Sequence, residues 1–438
     1  MSAAGALPGR SARRPMTIQA ETLREGVVWL AIASSFFVMF EPAAYDLLMI
    51  GAIVLFVGTG LKLPRVLLPF LLLVILYQLG AVLTLTLVFD RADTQKWTTI
   101  GVFLAGTGCF YSLFLADRTE IRARLIANAW VIAGVASGLL AIVGYFHLVP
   151  FADSLLRYNR AKGAFKDPNV FAPHLIFPAL ILIQRLYASD LKRSLILVAP
   201  LGIIMAGVLL SFSRGSWGHL IASAMLMTTL TVLTAPSPSA RARILVTCVA
   251  ATVLAAVFLV ILIQLPSVAN LFAERASLEQ SYDVEHGGRF SNHVMGFRLA
   301  LDKPFGIGIF QFSKRFGADV HNTYLNAFMS YGWLGGVVVP VMTLLTLFSG
   351  ARYVLTPTPW RPVFICTFST WVVLMIEAAV IDVDHWRHQW ALLGMMWGFI
   401  AATVAYQRRS EVPQRRRRAV GADDQRRANR KPGAAIAP

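Results

Sequence analysis

The chain has 438 residues, of which 56% are hydrophobic and only 14% charged, and its mean hydropathy is +0.62. A water-soluble domain carries about 25% charged residues to cover its surface, so a soluble globular fold is excluded. The net charge of +17 raises nucleic-acid binding, but the basic residues sit in short loops between apolar runs and in a tail around Arg415, Arg416, Arg417 and Arg418. Membrane proteins distribute positive charge in this way, towards anionic lipid headgroups. No nucleic-acid-binding module accompanies the charge, and no nucleic-acid partner is expected.

In chain order, residues 1–25 are polar and basic, without the apolar core and cleavage site of a signal peptide, and are expected to form a cytoplasmic N-terminal segment. Apolar runs follow at 26–40, 45–60, 66–89, 97–116, 124–148, 169–187, 194–212, 216–234, 244–265, 321–349, 362–381 and 389–406. Runs of about 20 residues match a hydrocarbon core of about 30 Å. Lipid offers the backbone no hydrogen-bond partners, so each run must be helical. The fold expected is an all-α polytopic membrane protein of about 12 transmembrane helices, with one transmembrane domain over 26–409. Residues 410–438 are Arg-, Ala- and Pro-rich and read as a disordered basic cytoplasmic tail. Cys109, Cys248 and Cys366 all lie in apolar runs and read as small buried hydrophobes.

Alternate connections hold Lys62 and Arg65; Arg118, Arg122 and Arg124; Arg185, Lys192 and Arg193; Arg241 and Arg243; Arg352 and Arg361. The positive-inside rule makes that face cytoplasmic, together with both termini. Segments 149–168 and 266–320 then lie outside. The first breaks the charge rule with Arg157, Arg160, Lys162 and Lys166, and the second is the longest connection, between the ninth and tenth spans. A long loop in a compact protein is usually functional or disordered. The Gly and Pro residues in HGGRF and DKPFGIGIFQF predict an ordered cap with tight turns.

Four polar clusters fall on this outer face. They are RYNRAKGAFKDPN, with Arg157, Arg160, Lys162 and Asn169; SFSRGSWG, with Arg214; the stretch from Arg289 to His321 and Asn322; and IDVDHWRHQW, with Asp382, His385 and Arg387. Each has an ordinary explanation. Asp167 and Asn169 suit a helix cap, Arg214 suits snorkelling to headgroups, Arg289 suits a solvated loop, His321 suits an exposed helix end, and Trp386 and Trp390 suit an interfacial belt. Their coincidence on one rim, where ionisable groups are costly, favours function.

Guanidinium is permanently charged and its planar fork matches phosphate oxygens. Arginines gathered at the mouth of a lipid-embedded bundle suit a diphosphate carried on a lipid. They would stabilise charge on the departing oxygen during group transfer. A weakly acidic sugar hydroxyl would also need a base, worth about 10²–10⁴-fold. His321 is the first choice, because a helix N-terminus disfavours imidazolium, and His385 is the second. Asp382-Val383-Asp384 matches a metal-binding DxD, but Arg387 and the flanking histidines dilute its charge, so neither metal nor cofactor is expected.

FEPAAYD, RAKGAFKDPNVFAPHL, SFSRGSWG, GGRFSNHVMGFRLALDKPFGIGIFQF and HNTYLNAFMSYGWLGG occur in that order between about residues 40 and 340. In this ordered set the chain resembles the O-antigen ligase and O-antigen polymerase superfamily of bacterial surface-polysaccharide enzymes. IDVDHWRHQW looks like an ending shared by some members only. The resemblance implies a C-type, all-helical membrane glycosyltransferase of the bacterial inner membrane. It implies transfer at the periplasmic face, without a metal ion, from a polyprenyl-diphosphate-linked glycan donor. Membrane lipid and polysaccharide-assembly proteins are the partners implied, with a glycan or lipid A-core acceptor. The family's functional SRG arginine, long-loop arginine and HN histidine fall on Arg214, Arg289 and His321, and Arg160 and Asp382 also carry over.

Two other classes compete. A lipid-linked glycan transporter or flippase would place charge near the midplane and often repeat in two halves. Here Glu377 is the main intramembrane charge, and it also suits a helix-packing partner. A non-catalytic scaffold would not need arginines and a histidine on one rim.

Overall fold

A computed structural model describes residues 14–276 and 289–428. The helices are α1 (Arg14–Ala33), α2 (Ala44–Thr59), α3 (Leu68–Leu85), α4 (Ala92–Ala116), α5 (Thr119–Tyr145), α6 (Pro168–Ala188), α7 (Leu191–Leu210), α8 (Arg214–Leu233), α9 (Pro238–Ile263), α10 (Pro266–Ala276), α11 (Arg289–Asp302), α12 (Gln311–Phe316), α13 (Thr323–Tyr353), α14 (Arg361–Glu377) and α15 (Arg387–Ala428). Among the described residues nine helical segments are long and apolar enough to cross a bilayer, and α2 is apolar but shorter. The chain is an all-α, multi-pass membrane protein. The twelve expected apolar runs fall on α1–α9 and α13–α15.

Three boundaries differ from expectation. α1 begins at Arg14, ahead of the apolar run that starts near residue 26, and its acids pair with α5: Arg122 reaches Glu25 at 3.1 Å and Glu21 at 3.4 Å. Of the tail expected over 410–438, residues 410–428 continue α15 as helix, and residues 429–438 lie outside the described residues. The segment 266–320 includes α10, α11 and α12, with residues 277–288 outside the described part.

Small residues bring the long helices together. α15 runs along α4, and α13 along α3. Gly394 and Gly398, one turn apart, lie so close to α4 that a Cβ on Gly394 would run into the Gly108 backbone and one on Gly398 would stand 2.6 Å from Leu115 Cβ. Such small-xxx-small seams replace the hydrophobic drive that lipid removes.

α13 is broken at Gly332, whose φ of 64° and ψ of −172° are not helical. The break leaves the Met329 carbonyl free to accept the N–H groups of Ile307 (2.8 Å) and Gly308 (3.2 Å), while Trp333 N–H reaches Pro304 O at 2.8 Å. A Cβ at Gly306 would sit 2.6 Å from Met329 O. The KPFGIG stretch is thus docked by its backbone into the broken helix, which fixes the half of α13 that follows His321.

Candidate functional site at one end of the bundle

The loop between α5 and α6 folds as a short turn and a two-residue hairpin, β1 (Leu156–Arg157) and β2 (Arg160–Ala161), a local departure from the all-helical expectation. Its turn residues Tyr158 and Asn159 are both left-handed, at φ 54° and 57°, the geometry that closes a two-residue hairpin. The hairpin turns Arg160 inwards. Its Nε donates to Ser211 O at 2.7 Å and its guanidinium to Asn169 Oδ1 at 2.8 Å. Asp167 caps α6 by accepting from Asn169 N–H, and also receives Arg157 at 3.0 Å. Lys162 donates to Ser154 O at 2.7 Å and Phe165 O at 3.0 Å. Burial, with Arg157 alongside, holds its ammonium below the usual lysine range.

Arg387 opens α15 and is gripped in bidentate fashion by Asp46, at 2.8 and 2.7 Å, near the start of α2. Glu41 lies 3.7 Å from the same guanidinium and 2.8 Å from Lys166. Neither Glu41 nor Asp46 of FEPAAYD is among the candidate residues legible in the sequence. The usable signal was an aspartate inside an apolar run, where an ionised group requires a partner.

Arg214 is the first residue of α8 and half-buried. The turn before it is tight, with Phe212 left-handed at φ 48°, and Ser216 donates to Ser213 at 3.0 Å. Beside Gly215 lies Glu377, the last residue of α14. The next residue, Ala378, accepts Thr323 N–H at 2.8 Å. Thr323 Oγ1 donates to Ile381 O and accepts Val383 N–H, both at 2.9 Å. Residues 377–383 are therefore a strap joining the Arg214 turn to the start of α13.

At that start the helix opens one step later than expected. Asn322 is the cap, accepting Tyr324 and Leu325 N–H at 3.0 and 3.1 Å, so its amide oxygen is committed to the backbone. His321 stands just before it with φ 50°, a left-handed conformation that costs a non-glycine residue about 1–2 kcal/mol and tends to persist at functional sites. Its Nδ1 lies 3.7 Å from Asp382 Oδ2, with 46% of the histidine side chain exposed. Asp382 Oδ1 is buried with no hydrogen-bond partner among the described residues. Burial, reinforced by Asp384 and Asp319, pushes its carboxyl up to about 8.

The two acids of DVD diverge. Asp384 receives Tyr331 Oη at 2.9 Å and lies 3.1 Å from His385 Nδ1. Burial works to raise its pKa, but His385 and Tyr331 outweigh it and hold the carboxyl below the usual range. His385 stacks on Trp97, ring centroids 3.9 Å apart, and its Nε2 donates to Trp97 O at 3.1 Å. Among the described residues no group of three or more His, Cys, Asp or Glu is arranged to hold a metal ion. Arg289 opens α11, and its side chain lies outside the described residues.

A helical bundle with polar clusters gathered at one end defines a multi-pass membrane protein. Residues 199–339, from within α7 into α13, match the family model described as O-antigen ligase. Over that stretch, about a third of the chain, the protein is similar to O-antigen ligases. No curated protein matches the chain.

Proposed function

We propose that this protein transfers a glycan from a polyprenyl-diphosphate donor to an acceptor hydroxyl at the periplasmic face, as an O-antigen ligase does. Arg214 and Arg289 bind the diphosphate and stabilise the negative charge on its departing oxygen. His321 accepts the proton of the attacking hydroxyl as the new glycosidic bond forms. Asp382 orients His321. Arg160 and Arg387, with forks occupied by Ser211, Asn169 and Asp46, hold the walls of the site. Positive-inside loops support periplasmic transfer with cytoplasmic termini.

The observation that carries this reading is the strap 377–383, which ties the helix bearing Arg214 to the segment bearing His321. A deletion strain complemented with wild type, Arg214→Ala or His321→Ala tests it by glycan analysis. Both variants are expected to insert at normal levels and yield no ligated glycan, and normal glycan from both would end the proposal. Full-length but unattached polymer in the deletion strain marks a ligase. Single repeats mark a repeat-unit polymerase.

A further inference from the structure

A carboxylate from another helix lies against the first two turns of α8. Glu377 has a side chain only 9% exposed, and its Oε2 lies 2.8 Å from His219 Nδ1. The other ring nitrogen, Nε2, is 3.0 Å from Thr370 O. A carbonyl only accepts, so Nε2 carries a hydrogen, and one further proton is held between His219 and Glu377. The second carboxylate oxygen, Oε1, turns towards α8, where a Cβ built on Gly215 would stand 2.6 Å from it. A Cβ there would push against the end of the Glu377 side chain, so Gly215 leaves the room that the carboxylate takes. Negative charge is also favoured at this end of a helix.

We propose that Glu377 is a positioning residue for glycan transfer: braced by His219, it fixes the α8 turn that carries Arg214, and Gly215 is the gap that admits it. The inference rests on Arg214 being the diphosphate contact. The same carboxylate begins the strap that reaches Thr323, so its placement also sets the separation between Arg214 and His321. Arg214 acts on charge that develops on the leaving oxygen, and its misplacement therefore lowers turnover more than donor binding.

The test uses the purified full-length protein, a defined polyprenyl-diphosphate oligosaccharide and its acceptor, with kcat, KM and melting temperature measured for each variant. Glu377→Gln keeps the shape and removes the charge. Gly215→Ala adds a methyl that meets only the end of a flexible side chain, so it displaces the carboxylate without unfolding α8. Both are expected to lower kcat by about tenfold to a hundredfold, with KM for the donor and the melting temperature little changed. Should Glu377→Gln prove poorly folded, Gly215→Ala alone decides. Wild-type kcat in Gly215→Ala, or a loss confined to melting temperature, overturns the positioning role. If Arg214→Ala itself transfers normally, the diphosphate reading falls and takes this inference with it. An inactive Arg214→Ala beside a fully active Glu377→Gln overturns the positioning role alone.

Discussion

Two regions of the molecule engage ionisable side chains, and they do so differently. At the α4–α5 turn Arg122 has a side chain 3% exposed and binds Glu25 at 3.1 Å, Phe114 O at 2.9 Å and Asp117 O at 3.1 Å. Its donors are committed to the protein, as a buried cation requires. At the other end His321 and Asp382 meet at 3.7 Å, beyond hydrogen-bond reach, and an oxygen of Asp382 is buried without a partner among the described residues. The first arrangement closes on itself. The second holds a buried carboxylate oxygen that has no hydrogen-bond partner among the described residues.

Substitutions can break or sharpen that contrast. The largest effect is expected from His321→Ala, which should slow transfer by about 10²–10⁴-fold while membrane abundance stays at wild type. A parallel fall in abundance would place His321 with the frame instead. Arg387→Ala should do the opposite. Removing one partner of a half-buried pair leaves Asp46 unneutralised, at a cost of about 3–5 kcal/mol. Its melting temperature and abundance should drop, and an equally stable variant would show that the Asp46 pair is not part of the frame.

Asp382 supplies a pH test between these extremes. Its carboxyl titrates near pH 8, so it is protonated at neutrality and ionises above pH 8. A carboxylate beside His321 favours the imidazole's gain of a proton, and the transfer rate should rise as pH is taken from about 7 to 9. For stability the sign is reversed. The folded carboxyl keeps its proton above the unfolded value of about 3.9, so its contribution is present below that value and lost as pH rises through 8. Asp382→Asn should flatten both limbs, and a rate profile that it leaves unaltered would remove Asp382 from the site. The smallest effect is expected from Arg157→Ala: its exposed pair with Asp167 should contribute at most about 1 kcal/mol, seen as a melting temperature close to wild type.

The fold was largely legible because the bilayer imposes a length and a composition on each span. The twelve apolar runs all fall on helices, and the one-rim grouping of polar clusters followed from counting them. What escaped were contacts between residues distant in sequence. Nothing local to Asp46 announces Arg387, 341 residues away. His385 is a candidate base by sequence, yet its packing against Trp97 is not readable from its neighbours. Glu377 was recognised as an intramembrane exception, but its link to His219 and Gly215 depends on how α14 packs on α8. The break at Gly332 was hidden because YGWLGG reads as continuous helix until KPFGIG is docked beside it.

The central claim is that Arg214 and His321 act on one lipid diphosphate. Single-turnover transfer by purified wild type, Arg214→Ala, His321→Ala and the double variant tests it most directly. Groups that act as a unit do not add. The account predicts that the double variant is no slower than the slower single one. Losses that multiply, or wild-type rates in either single variant, would contradict it.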